Sequence, residues 1–145
     1  MARKTAPKTS SPYHFQYAAK FLCTANIPGT SQTTGSLLPG VYQTVVNIHN
    51  PNEQPVRLRM KIAVPGREPS KFVDDSLKPD FATSVDCGRI TRDFGIVFIH
   101  GAEGFLVIES TRSLDVIAVY TAGPRGGEVS SMDVEQVRER RLIGG

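Results

Sequence analysis

Residues 56–64 alternate without a break. Val56, Leu58, Met60, Ile62 and Val64 fall on one face and Arg57, Arg59 and Lys61 on the other, the period-two signature of a strand that buries one face and wets the other. Pro and Gly punctuate both sides of the run, which bounds it as a strand rather than a turn of helix. The same grammar recurs along the chain. Tyr13, Phe15, Tyr17, Ala19, Phe21 and Cys23 share one face of a long first strand over residues 13–23, opposite His14, Gln16, Ala18 and Lys20. Tyr42, Thr44, Val46 and Ile48 alternate with Gln43, Val45, Asn47 and His49 over residues 41–49.

The intervening residues 24–40 are rich in Thr, Ser, Gly and Pro and read as a long loop. Asn50-Pro51-Asn52-Glu53 has turn chemistry, so residues 41–64 are expected to form a hairpin. A short strand over 71–73, a turn at Lys78-Pro79-Asp80 and a strand over 81–87 follow. The pattern breaks around residues 88–95. Strands are then expected over 96–100, 105–110 and 114–121, and a last one within 128–137. Phe105 to Ser110 and Leu114 to Thr121 lack clean alternation, as strands covered on both faces do. Eight or nine short antiparallel strands with almost no helical period predict an all-β sandwich or jelly roll. One domain over residues 13–137 is expected between flexible basic termini, an arm over 1–12 and a tail over 138–145.

Composition adds little to this and charge adds more. With 39% hydrophobic and 21% charged residues among 145, the chain is an ordinary single domain, and no apolar run reaches the roughly 18 residues of a membrane span. The first residues are basic and polar, without the apolar stretch of a secretory signal, so a cytoplasmic location is expected. The net charge of +3 is segregated: residues 13–137 carry 11 Lys or Arg against 13 Asp or Glu, and the excess lies in Arg3, Lys4 and Lys8 and in Arg138, Arg140 and Arg141. Such tails suit binding a polyanion, docking on a neighbouring copy, or solubility alone with no partner. Cys23 and Cys87 form no CxxC pair, and in a reducing compartment they are expected to remain small apolar core residues rather than a disulfide.

Candidate chemistry is sparse. His14, His49 and His100 stand in no ligand spacing. Convergence of His14 and His49 with a carboxylate is the one metal arrangement a jelly roll could offer, and exposed histidines without a ligand are the simpler reading. Asp74, Asp75, Asp80 and Asp86 lack the spacing of a calcium loop and read as solvated carboxylates. Glu109 and Asp115 flank Arg112, which suggests an ion pair closing a hairpin more than an acid–base pair. No nucleophile elbow or phosphate-cradling loop occurs, so no catalytic residue, metal ligand or cofactor is assigned and the chain is expected not to be an enzyme.

Arg57, Arg59 and Lys61 form a basic stripe suited to phosphates, or, on an edge strand, to deterring edge-to-edge aggregation. No stacking aromatic is expected on that face, which weakens a nucleic-acid reading. Candidate anion-binding residues are therefore Arg57, Arg59, Lys61, Arg3, Lys4 and Lys8. Candidate self-association residues are Tyr13, Phe15, Tyr17, Phe21, Arg138, Arg140 and Arg141, because an aromatic strand near a terminus can join a neighbour's sheet.

The phrases VNIHNPN, GFLVIES, LDVIAVYTA and SMDVEQV resemble a group of small bacterial proteins without assigned function, over about two-thirds of the chain. The order of an Asn-containing strand end, a hairpin and a late apolar strand is similar to the sensory rhodopsin transducer family, soluble β-sandwiches that assemble as oligomers. The tails have no counterpart there. That resemblance implies an oligomeric interaction module and leaves its partner unknown; a homo-oligomer, with or without a further protein partner, is expected, and the first resemblance brings no catalytic residue.

Overall fold

The computed structural model describes residues 11–24, 40–96, 101–124 and 128–142. Their nine strands are β1 (Phe15–Cys23), β2 (Val41–His49), β3 (Val56–Ala63), β4 (Val73–Leu77), β5 (Ala82–Val85), β6 (Ala102–Ser110), β7 (Asp115–Gly123), β8 (Ser131–Gln136) and β9 (Glu139–Arg141), with one helix, α1 (Cys87–Phe94). They build two antiparallel sheets, a five-stranded one in the order β4-β3-β6-β1-β9 and a four-stranded one in the order β5-β2-β7-β8. The expected β-sandwich is the architecture found. The strand expected at 96–100, with His100, lies largely outside the described residues, as do the loop at 25–39 and the arm carrying Arg3, Lys4 and Lys8.

The alternating faces decide what meets in the core. Tyr17, Ala19 and Phe21 of β1, Leu58, Met60 and Ile62 of β3 and Leu106 and Ile108 of β6 point inward from one sheet. Val46 and Ile48 of β2 and Val116 and Ala118 of β7 point inward from the other. Each large apolar side chain so buried contributes about 1.5–3 kcal/mol. Gly104 in β6 lets Phe21 lie close, since a Cβ there would come within 2.4 Å of the Ala63 carbonyl oxygen and 3.1 Å of the Phe21 ring.

Several expectations fail on connectivity. Residues 41–64 are not a hairpin: β2 pairs with β5 and β7, while β3 pairs with β4 and β6 in the opposite sheet. The cause is Asn50, which is fully buried at the crossing. Its side-chain amide reaches the carbonyls of Gln54, Leu77 and Lys78 at 2.9–3.2 Å, and its Oδ1 accepts from Asn52 N at 2.9 Å. These bonds satisfy the backbone of an arch between sheets, where a hairpin would have paired strand with strand. Residues 111–114 likewise cross from β6 in one sheet to β7 in the other. Neither strand is covered on both faces, since Phe105 is 43% exposed and Ile117 and Val119 are partly exposed.

The pattern break at 88–95 is helix α1, capped by the Asp86 side chain accepting from Arg89 N at 2.8 Å and ended by Gly95 at φ 65°. The basic C-terminal tail is not free over its whole length. Glu139–Arg141 form β9 along β1, with Gln16 opposite Arg140, and Leu142 N donates to His14 O. Cys23 and Cys87 are joined by a disulfide with Cα atoms 5.7 Å apart, contrary to the expectation of free thiols. It ties the end of β1 in one sheet to the start of α1 beyond β5 of the other.

Candidate functional site

On the outer face of the five-stranded sheet the basic stripe is largely engaged. β3 is an interior strand between β4 and β6, so Arg57, Arg59 and Lys61 do not guard an edge. Arg59 Nη2 and Nε donate to Glu109 Oε1 at 2.7 and 3.0 Å, and Gln16 Nε2 donates to Glu109 Oε2 at 3.0 Å. The Arg59 guanidinium also lies 4.4 Å from the Tyr13 ring centroid and 4.0 Å from that of Phe72. Lys61 sits 4.8 Å from Phe72, and Lys20 5.2 Å from Phe105 while pairing with Glu103 at 3.2 Å.

Aromatic rings therefore do share this face, contrary to expectation. The chain turn before β4 supplies Phe72, and a reading of single strands had no means of placing it there. Each ring already faces a cation, which is worth about 0.5–1 kcal/mol at exposed sites. Arg57, exposed at the margin, is the least engaged member of the stripe.

The carboxylates and histidines are dispersed among structural tasks. Glu109 pairs with Arg59 and not with Arg112, whose Nη2 donates to Gln54 Oε1. Asp115 and Asp80 instead hold His49 from both sides: Nδ1 is 2.8 Å from Asp115 Oδ2 and Nε2 is 2.7 Å from Asp80 Oδ1. Bonds to Asp115 first and Asp80 second push the His49 pKa up. In the protonated ring that these two carboxylates favour, both nitrogens donate and neither keeps a lone pair for a metal. Among the described residues no group of three or more His, Cys, Asp or Glu could hold a metal ion.

His14 immediately precedes β1, in the other sheet, where its carbonyl accepts from Leu142 N. Asp75 pairs with Arg89 at 3.0 Å, Asp86 caps α1, and Asp74 lies opposite Arg59 in the β3–β4 register. The acidic stretch thus forms no common site.

The aromatic strand turns inward. Tyr17 and Phe21 are 1% and 0% exposed, Phe15 packs against the core with the Arg141 guanidinium 5.6 Å from its ring, and Tyr13 stacks on Arg59. Tyr17 and Phe21 therefore cannot form a self-association surface in the folded chain, because strict alternation beside a sandwich core places such rings inside it. The Tyr17 hydroxyl donates to Glu139 Oε1 at 2.6 Å and accepts from Leu114 N at 2.7 Å. Burial, aided by the bond to Glu139, raises its pKa to about 12.

The outer face of the four-stranded sheet is different. Val45 of β2 stands opposite Val119 of β7, which stands opposite Val134 of β8, with Ile117 and Met132 one step to either side. Met132 and Val134 are 67% and 55% exposed and nearby Val129 is 63% exposed. Two shallow grooves cross this face, of about 270 and 190 Å³. The first runs past Val45, Asp86, Cys87 and Val119, the second past Val41, Glu128 and Val129, and both share Gln43 and Thr121. Sequence reading placed a strand here with Met132 and Val134 on one side, but only the neighbours β2 and β7 turn that side into a surface.

No protein-family model matches the chain, and no curated protein matches it. Among solved structures the fold is similar to a crystal structure titled as that of Thermotoga maritima 1070, with a TM-score of 0.55 and 11% identity, over 85% of this chain and 91% of that one. At that identity the likeness shows a shared sandwich fold and nothing of function. No helix among the described residues is long and apolar enough to cross a membrane.

Proposed function

We propose that this chain is a non-enzymatic, self-associating β-sandwich, a subunit of a homo-oligomer that docks through the outer face of its four-stranded sheet. The observation that carries this reading is the apolar row Val45, Val119 and Val134, widened by Ile117, Met132 and Val129 and continuing onto the sheet's edge strand. Val129, Met132 and Val134 are exposed and Val45, Ile117 and Val119 partly so, and apolar surface of this kind marks interaction sites in folded proteins. The sensory rhodopsin transducer resemblance implies a module of the same kind.

The test is the mass in solution, by light scattering coupled to size exclusion, of the wild type and of a Met132→Asp, Val134→Asp double variant. A wild-type oligomer that the variant reduces to monomer, with thermal melting nearly unchanged, is the expected result. A wild-type monomer, or a variant of unaltered mass, rejects the proposal.

A second reading, binding of an anionic polymer such as nucleic acid or an acidic sugar, draws support from the rings beside Arg59, Lys61 and Lys20. Against it stands the engagement of those cations by Glu109, Glu103 and the rings themselves. Salt-dependent binding of a single-stranded oligonucleotide that is lost on changing Arg57 and Lys61 to Ala would favour it.

The cytoplasmic location expected from the N-terminal sequence and the Cys23–Cys87 bond pull in opposite directions, since a cytosol keeps thiols reduced. Trapping free thiols at the moment of cell lysis decides between them.

A further inference from the structure

Alternation along β2, β7 and β8 turns every second residue to the outer face, and the strand registers set these residues in a grid. Its middle row is Val45, Val119 and Val134. Asn47, Ile117 and Gln136 form the row on one side, and Gln43, Thr121 and Met132 the row on the other. None of these side chains is charged. The acids of β8 alternate to the opposite side, where the Tyr120 hydroxyl donates to Glu135 Oε2 at 3.3 Å. Beyond the Asn47 row, His49 stands opposite Asp115 and is paired with it at 2.8 Å. Depletion of charge at the centre of a surface is the mark of a protein contact.

The relief of the grid differs on the two sides of β7. On the β8 side Met132 and Val134 project, 67% and 55% exposed. On the β2 side the surface sinks into the groove of about 270 Å³ that runs past Val45 and Val119 to Asp86, Cys87 and Gly88 at the start of α1. The Cys23–Cys87 bond fixes that wall to the end of β1. One face therefore carries a projection and a recess on opposite sides of a common strand.

We infer that a second copy of the chain packs face to face on this grid, about a two-fold axis that runs along β7 over Val119, with Met132 and Val134 of each copy seated in the groove of the other. This gives a geometry to the self-association proposed above and rests on it. Rotation about that line lays β8 of one copy over β2 of the other. Met132 then comes opposite Gln43, and Val134 opposite Val45, each meeting occurring twice.

Because projection and recess share one face, a contact that fills one fills the other, and the assembly closes at two copies instead of growing into a chain. Residues on the axis meet their own mates. Like charges could not do so without cost, whereas Ile117, Val119 and Thr121 can. The face of β8 is what makes the contact, and not its edge. Val137 N donates to Val116 O, which directs the even-numbered N–H groups of β8 away from β7. Of these, Val134 N is taken by Asp133 Oδ1 at 3.0 Å, which blunts the edge as a template for strand addition.

Sedimentation equilibrium of full-length variants, with circular dichroism to verify folding, tests the axis and the recess separately. Thr121→Arg and Thr121→Glu each set like charges against each other across the axis, and each alone should raise the dimer Kd at least about tenfold. Mixed in equal amounts, the two should recover a dimer, because Arg then meets Glu. Gly88→Leu fills the recess. Gly88 is exposed on its wall, and a Cβ there would meet only the Asp86 carboxylate, at 3.5 Å. Leu also suits a helix better than Gly, so a Kd raised about tenfold without a lowered melting temperature is expected.

Thr121 variants that dimerise like the wild type, or whose mixture stays monomeric, overturn the axis. If neither folds, Gly88→Leu still decides the matter, since an unchanged Kd there overturns the seating of Met132 and Val134. If Met132→Asp with Val134→Asp gives monomer where these tests fail, the self-association reading stands without the two-fold packing. A wild type that is monomeric throughout overturns both.

Discussion

The two outer faces of the sandwich are built from strands of similar length and end in opposite chemical states. On the five-stranded sheet, Arg59 is bonded to Glu109, Glu109 to Gln16, and Arg59 and Lys61 lie against Tyr13 and Phe72, so polar and aromatic groups close on one another. On the four-stranded sheet, Val45, Val119 and Val134 stand in a row, the first two partly exposed beside the start of α1, with exposed Met132 next to them. A surface rich in charge is thus the self-sufficient one, and the surface poor in charge is the one that leaves apolar side chains exposed. Formal charge in a sequence says where cations are. Whether they are available depends on the neighbours that the fold supplies.

The bond that holds the two faces in one body gives the largest expected effect. Cys23 and Cys87 are 64 residues apart in sequence, and in the chain-entropy model a cross-link closing a loop of that length stabilises by about 4 kcal/mol. Cys87→Ser should therefore lower the free energy of unfolding by about that much in urea titration, with Cys23→Ala giving the same loss. Because Cys87 also lines the groove past Val45 and Val119, proteolysis near α1 should rise in these variants before it rises at β3. Loss confined to the five-stranded sheet would contradict the idea that the disulfide braces the open face.

Opening the closed face should come next in size. Glu109→Ala removes a carboxylate whose side chain is only 8% exposed and leaves Arg59, at 30%, without its partner. A fully buried pair broken in this way costs about 3–5 kcal/mol, and the partial exposure of Arg59 reduces the expectation to about 2–3 kcal/mol. If engagement by Glu109 is what keeps this face from binding anions, the same variant should also gain salt-sensitive affinity for an oligonucleotide over wild type. By contrast, Arg57→Ala should change stability by less than about 0.5 kcal/mol. Met132→Ser with Val134→Ser, on the open face, should also stay within about 0.5 kcal/mol per site while altering the mass in solution.

How much of this was legible in the sequence follows the range over which each signal acts. Alternation is local, so the bounds of β2 and β3 came out within a residue or so, and the single sandwich with them. Sheet membership is not local. The six residues between β2 and β3 would suit either a hairpin or an arch, and only the carbonyls of Leu77 and Lys78, brought to Asn50 from far along the chain, select the arch. Helix α1 did leave a trace, Asp86 and Gly95 bracketing it as cap residues, but it buries only Ile90, too little to impose a helical period. The pairing of Cys23 with Cys87 depends on where β1 ends relative to α1, which no spacing reveals. The aromatic face of β1 shows the commonest ambiguity. Alternation established that Tyr17 and Phe21 share a side without telling whether that side meets a core or a partner.

The smallest expected effect lies where the two sheets cross, at His49. Asp115 and Asp80 each accept from its ring, and together they raise its pKa above the ordinary 6.5. Unfolding releases both contacts and returns the ring to that ordinary value, so the folded state binds the proton more tightly than the unfolded one. The stabilisation is therefore fully present below about pH 6.5 and is lost as the pH rises through the raised value. Urea titrations at intervals from pH 5.5 to pH 9 should show wild-type stability falling through that window. In His49→Gln the fall should be absent, because a neutral amide can still bond to both carboxylates but has no proton to lose. The mass in solution should be the same for both proteins at every pH, since His49, Asp80 and Asp115 lie at the end of the sheet away from Met132 and Val129. A change in mass that tracks the titration of His49 would instead join this clamp to the open face and remove the independence of the two regions.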